Sequence, residues 1–227
     1  MAETGNVINL EKRFTQKSIW EEDFFLQAIN TLELLDGAEN VLDIGSDDDR
    51  CTDAIAELAE NLVVEKRKWS DINLEKEGYH KKFDLVYCNL SGAIKSIDDL
   101  KKMNEASKHY CVLSDYISVK KPFEDEVEEF LFPYPIRKRT SKMSFFYSYL
   151  REKGYIPEAD YYERDDTLEF NDNENAFRYF KNLMEQKYKL SDNDCERLGS
   201  FINASFYEGM LVNPIHSIIA TLVWRVK

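Results

Sequence analysis

The stretch Asn40-Val41-Leu42-Asp43-Ile44-Gly45 constrains the fold of this chain more than any other. Val-Leu-Asp-Ile is nearly continuous apolar, as strands buried on both faces of a parallel sheet are. It stops at a glycine, and Ser46-Asp47-Asp48-Asp49 then opens onto a helical stretch over Arg50–Glu60. Strand, glycine turn and helix in that order make the first half of a βαβ unit. In open α/β sheets ligands bind beyond the carboxyl ends of the strands, so a nucleotide-type ligand would sit at this turn.

The chain on either side repeats the alternation. Upstream, Phe14–Leu35 carries Ile19, Trp20, Phe24, Phe25, Ala28, Ile29, Leu32 and Leu35 at helical spacing, with Gly37 as a C-cap. Downstream, Asp53–Glu60 puts Ala54, Ile55, Leu58 and Ala59 on one helix face, and Leu62-Val63-Val64 is a second β-rich run closed by Glu65-Lys66-Arg67-Lys68. Phe83–Cys88 reads as the third strand, Ile97–Ala106 as a helix and Tyr110–Ser114 as the fourth strand. Such alternation implies a parallel sheet with right-handed crossovers.

The second half changes character. Pro122–Pro135 is acidic, aromatic and punctuated by proline, which reads as a loop with a helical turn at Glu126–Phe130. A helix over Ser144–Lys153 ends at Gly154, and Ala159–Tyr162 follows as a strand. Two amphipathic helices come next, Asn175–Tyr188 and Ser191–Tyr207, the second opened by the capping pair Ser191 and Asp194. Ile218–Trp224 closes the chain as a final strand.

Composition limits what such a sheet can serve. The 227 residues, 43% hydrophobic and 13% aromatic, suit one α/β domain with a full core. A formal net charge of −13 and a pI near 4.8 argue against nucleic acid or an anionic membrane as the main partner. Cys51, Cys88, Cys111 and Cys195 are widely spaced and read as reduced thiols, not a disulfide frame or a metal site. The N-terminus lacks a basic-then-apolar signal pattern, and no apolar run reaches the ~20 residues of a membrane span, so a soluble cytoplasmic protein is expected. His80, His109 and His216 are scattered, which leaves no hydrolase or metal constellation. Asp47, Asp48, Asp49 and Asp53 read as an acidic helix start favoured by the macrodipole, not as cation ligands. Arg137, Lys138, Arg139 and Lys142 form the one concentrated basic run, which reads as a solvated loop.

Taken together, these motifs resemble the class I S-adenosylmethionine-dependent methyltransferases. The resemblance is carried by Val41-Leu42-Asp43-Ile44-Gly45, Phe83–Cys88, Lys102–Ser107, Tyr147–Pro157 and the closing Val223–Lys227, and covers Phe14 to the end of the chain. It is most similar to a bacterial and archaeal subgroup in which Trp69, Asp71, Leu74, Gly78 and Lys81–Val86 follow one another in this spacing. The resemblance implies an α/β fold: a three-layer Rossmann-like sheet, mostly parallel, ending in an antiparallel hairpin. It implies one domain over 1–227, with 172–210 as a helical insertion in that hairpin; the apolar faces of Asn175–Tyr207 are too wide to be left in water, so this helical pair is expected over the carboxyl end of the sheet, as a lid. The cofactor-side residues carried over by motif position are Asp43, Gly45, Ser46, Trp69 and Asn89. The catalytic residues are not identified by the motifs.

The departures from the family pattern bear on function. Where the motif continues with glycines, this chain has Asp47 and Asp49. Aspartate adds bulk and a like charge near the methionine carboxylate, worth about 1–4 kcal/mol against binding. The stretch from Gly45 to Phe83 is also too short for the helix, strand, helix and strand normally found there, since one βαβ unit takes about 30 residues or more. One strand-helix unit is therefore expected to be missing, leaving six strands with Leu62–Val64 beside Asn40–Ile44. If Leu62–Val64 is the family's second strand, Glu65 is the acid for the ribose hydroxyls. The Trp69-to-Phe83 spacing favours the other register, in which that acid is lost and Lys68 replaces an adenine-side acid.

Two functions follow. One is a degenerate methyltransferase-like protein with weak or no S-adenosylmethionine binding and a binding or subunit role. The other is an active enzyme that uses S-adenosylmethionine to methylate a small molecule. The expected partners are a small-molecule ligand or a protein, with no nucleic acid and no membrane; a homo-oligomer is compatible with the sequence.

Overall fold

The structure, a computed structural model, describes residues 40–45, 49–135 and 141–227. The helix expected over Phe14–Leu35 lies outside the described residues, as do Ser46, Asp47 and the run Arg137–Arg139. The described chain forms two compact units: the first takes its residues from segments up to Ile117, Ser141–Tyr162 and Ile219–Lys227, the second from Ser118–Thr140 and Glu163–Ile218.

A six-stranded sheet runs in the order β2-β1-β3-β4-β6-β5. Its strands are β1 (Asn40–Ile44), β2 (Asn61–Glu65), β3 (Phe83–Asn89), β4 (Ser107–Lys120), β5 (Glu158–Phe170) and β6 (Leu211–Arg225). β1 pairs in parallel with β2 and with β3, and β3 with β4, while β5 and β6 make the antiparallel C-terminal pair. The six strands and the seat of Leu62–Val64 beside β1 are those expected from the shortened sequence. β4, β5 and β6 are much longer than the apolar runs that announced them.

The first unit shows why these residues make this sheet. Alternation along β1 and β3 sends Leu42, Ile44, Val86 and Cys88 to one face and Val41, Leu85 and Tyr87 to the other. On the second face α1 (Asp49–Leu58) supplies Ile55. On the first lie Trp69 and Ile72, with Leu100 and Met103 of α3 (Ile97–Ala106) and Met143, Phe146 and Leu150 of α5 (Lys142–Glu152). Between β2 and β3 the chain makes a single 3-10 turn at Trp69–Asp71 and the short α2 (Leu74–Glu77), started by an Asn73 cap on Lys76 N and stopped by Gly78 at φ +65°. α3 is fixed by a capping box, Ser96 and Asp99 each accepting from the other's backbone N–H. The Cys88 and Cys111 thiols are buried within the sheet.

The second unit holds α4 (Pro122–Leu131), α6 (Asn173–Glu185) and α7 (Asp192–Ala204) around a core of Val127, Leu131, Phe180, Met184, Leu198, Ile202 and Leu211. The loop expected over Pro122–Pro135 is corrected here: Pro122 begins a ten-residue helix. Its missing N–H is one that no helix start can satisfy internally, so proline opens the helix and does not interrupt it.

Candidate functional site

The carboxyl ends of β1, β2 and β3 meet at Gly45. Its N–H donates to Glu65 O at 2.8 Å, continuing the β1–β2 ladder by one residue past the strand. The glycine stands at φ +70°, and a Cβ on it would lie 2.8 Å from Ser91 Oγ and 3.0 Å from Ala93 Cβ. The first motif glycine is therefore required by the chain's own packing. Ser91 is seated by donating to Ile44 O at 3.2 Å while accepting from Ala93 N at 3.3 Å, in a turn where Leu90 and Gly92 both have positive φ.

The neighbouring strand brings one acid to this end of the sheet. In a doubly wound sheet the second strand lies directly beside the first, and an acid about 20 residues past the glycine turn takes the ribose hydroxyls. β2 is that neighbour, with Ile44 opposite Glu65. Both registers of the shortened sequence seat Leu62–Val64 beside β1, so this pairing is common to them, and Glu65 is the acid that ends β2 next to the Gly45 turn.

Glu65 is buried, and its carboxylate is already engaged. Arg67 Nε donates to Oε1 at 2.9 Å, Arg67 Nη2 to Oε2 at 2.6 Å, and the Arg67 backbone N–H to Oε1 at 3.0 Å. The third guanidinium nitrogen reaches Glu77 Oε1 at 2.9 Å. Hydrogen bonds from the Arg67 side chain hold the Glu65 carboxyl below the usual range. A bidentate guanidinium is among the strongest partners a carboxylate can have.

The other residues named from the sequence are distributed as follows. Asp43 is buried on β1, where its carboxylate accepts from the Thr52 hydroxyl of α1 at 2.9 Å. Asn89 ends β3, half-buried and opposite Ser114 of β4. Asp43, Gly45, Glu65 and Asn89 thus share one end of three adjacent strands. Trp69 is packed in the core at 1% exposure, its indole N–H on Asp99 O at 3.1 Å and the Lys102 ammonium 4.7 Å from its ring centroid. Lys68 is exposed just before it. Lys142 of the basic run points inward, pairing with Asp115 Oδ2 at 2.6 Å and donating to Ile94 O at 2.6 Å. Among the described residues no group of three or more His, Cys, Asp or Glu could hold a metal ion, and no helix is long and apolar enough to cross a membrane.

Sequence reasoning missed Ser91 and Arg67. Ser91-Gly92, a turn dipeptide after a strand, was a signal for the first; for Arg67 the two-residue spacing from Glu65 put both side chains on one side of an extended chain without showing that they meet.

No family model matches the sequence, and no curated protein matches it. Solved structures do. A protein assigned as a type II methyltransferase, from Anaeromyxobacter dehalogenans, superposes with a TM-score of 0.51 at 11% identity, covering 88% of this chain and 96% of that one. A protein assigned as a methyltransferase, from Bacillus halodurans, gives 0.47 at 15% identity over 87% and 97%. Phosphoethanolamine N-methyltransferase 2 of Haemonchus contortus, solved with S-adenosyl-L-methionine, gives 0.40 at 13% identity over 88% and 52%. The Anaeromyxobacter structure carries the comparison, and together with the strand order it establishes that this chain has the methyltransferase-like Rossmann fold.

Proposed function

We propose that this protein is a degenerate member of the methyltransferase fold, with an adenosyl site closed by its own side chains and a role as a binding or subunit protein. The observation that carries this reading is the Arg67 fork on Glu65. A ribose diol would need both carboxylate oxygens, and both are held within the chain. Breaking charge-assisted hydrogen bonds of about 1.5–3 kcal/mol each opposes its entry. Asp47 and Asp49, in place of two motif glycines, add negative charge to the turn where the methionine carboxylate would lie.

The test is isothermal titration of the full chain with S-adenosylhomocysteine at neutral pH. We expect no binding tighter than about 10 μM, roughly −7 kcal/mol. A tighter constant overturns the reading and restores an active S-adenosylmethionine-dependent methyltransferase acting on a small molecule. The presence of Glu65 on the strand beside β1 supports that second reading, because it leaves a carboxylate within the Gly45 end of the sheet for a ribose. Arg67→Ala separates the two contributions: if the fork is the barrier, affinity rises at least about tenfold, the value of one charged hydrogen bond.

A further inference from the structure

A concavity lies at the other end of the same strands, where β3 and β4 begin. Its volume is about 360 Å³, within the range of small-molecule pockets, and its walls include Lys81, Lys101, Lys153, Glu105, Tyr149 and Tyr155. In a chain of net charge −13 this gathering of ammonium groups is unlike the rest of the composition.

One cation of the wall, Lys81, and one beside it, Lys227, stand on backbone carbonyls. Lys81 Nζ donates to Asn104 O at 3.3 Å, and Lys227 Nζ to Lys153 O at 3.1 Å. An ammonium has three donors, so each keeps two for another acceptor. Lys101 and Lys153 are ion-paired, with Asp98 at 2.8 Å and Glu152 at 3.4 Å. Lys227 is admitted by Gly154, where a Cβ would lie 2.6 Å from its Nζ. A third donor is fixed on the wall. Trp224 Nε1 donates to Asn104 Oδ1 at 2.7 Å, which leaves the amide NH2 of this wall residue as its donor end.

The apolar share of the lining comes from two rings. Tyr149 and Tyr155 are half-buried against the core, with the Lys153 and Lys227 ammonium groups 5.6 Å and 5.4 Å from their centroids. A cation at that distance polarises a ring face without covering it. The last turns of α3 and α5 also end here, and their carbonyls, with Glu105, oppose an anion in proportion to its charge, so a singly charged one is opposed less than a doubly charged one.

We propose that this cavity binds a singly charged carboxylate with a flat apolar body, an aromatic acid, its carboxylate on Lys81, Lys227 and Asn104 and its ring against Tyr149 and Tyr155. The site is separate from the end of the sheet that carries Gly45, and binding there does not require an open adenosyl site. The experiment is titration of the full chain with 2-naphthoate, followed by calorimetry and by the ring resonances of Tyr149 and Tyr155. We expect saturation with a dissociation constant below about 1 mM. The neutral isostere 2-naphthamide should bind at least about tenfold more weakly, and the double variant Lys81→Met, Lys227→Met should lose a similar factor with an unchanged circular dichroism spectrum. If the double variant does not fold, Lys227→Met alone at the last residue reads the same loss. Absence of saturation, equal binding of the amide, unmoved Tyr149 and Tyr155 resonances, or displacement of naphthoate by millimolar inorganic phosphate would each overturn the proposal.

Discussion

Gly45 is held at φ +70° with no room for a side chain, so a single methyl group there meets two penalties at once. Gly45→Ala should destabilise the fold by about 2–4 kcal/mol, from left-handed backbone and overpacking together. Urea unfolding checks this, and adding Ser91→Gly should return only the share of the steric penalty due to Ser91, since Ala93 Cβ stays 3.0 Å away, and none of the backbone part. Glu65 gives a pH signature of its own. Its carboxyl is held below the usual range by Arg67, so its stabilisation is fully present above the ordinary glutamate pKa of about 4.3 and is lost as the pH falls through the lower folded value. Glu65→Gln should flatten that acid limb in a plot of urea midpoint against pH. The position of Glu65, 20 residues past Gly45, was legible in the sequence, but its engagement was not. Motif spacing names a backbone position, whereas the fork on Glu65 depends on where the Arg67 and Glu77 side chains meet in three dimensions.

Elements that bury an unbroken apolar face were readable in advance, and those that bury charge were not. α3 runs over Ile97–Ala106 as expected because Leu100 and Met103 lie on one face behind a capping box. α4 was hidden because its inner face mixes Val127 and Leu131 with Glu124 and Glu128, all buried. Those carboxylates are tolerated because each is satisfied. Glu124 accepts from Lys121 at 2.9 Å, Tyr179 at 3.0 Å and Asn213 at 3.3 Å, and Glu128 accepts from Lys187 at 2.6 Å and from the Tyr188 hydroxyl. Burial, with the Glu124 charge beside it, pushes the Tyr179 hydroxyl up to about 12. Glu128→Ala would remove the buried carboxylate to which Lys187 and Tyr188 donate, at a cost of about 1–3 kcal/mol. Tyr188→Phe should cost less, because Lys187 keeps its partner; comparison of the two melting temperatures checks the order. β5 escaped a full reading for a related reason. Glu163, Asp165 and Asp166 break the apolar alternation on a strand at the sheet edge that is never deeply buried.

For the molecule as a whole, the charge of −13 predicts elution from a heparin column at about physiological salt without retention, and firm binding to an anion exchanger. Retention on heparin would mean that the basic groups act as a patch in spite of the net charge. The sheet adds a slower measure of the molecule. Burial pushes the Cys88 thiol up to about 11 and the Cys111 thiol further, so at neutral pH both are protonated as well as screened. Alkylation requires a thiolate in contact with solvent, and these two can supply one only when the strands part. Iodoacetamide labelling mapped by mass spectrometry should therefore mark Cys195, half-buried in α7, well before Cys88 and Cys111. The two slow sites should react together and accelerate with urea in step with unfolding. In its two central strands the protein carries a chemical clock that starts only when the sheet opens.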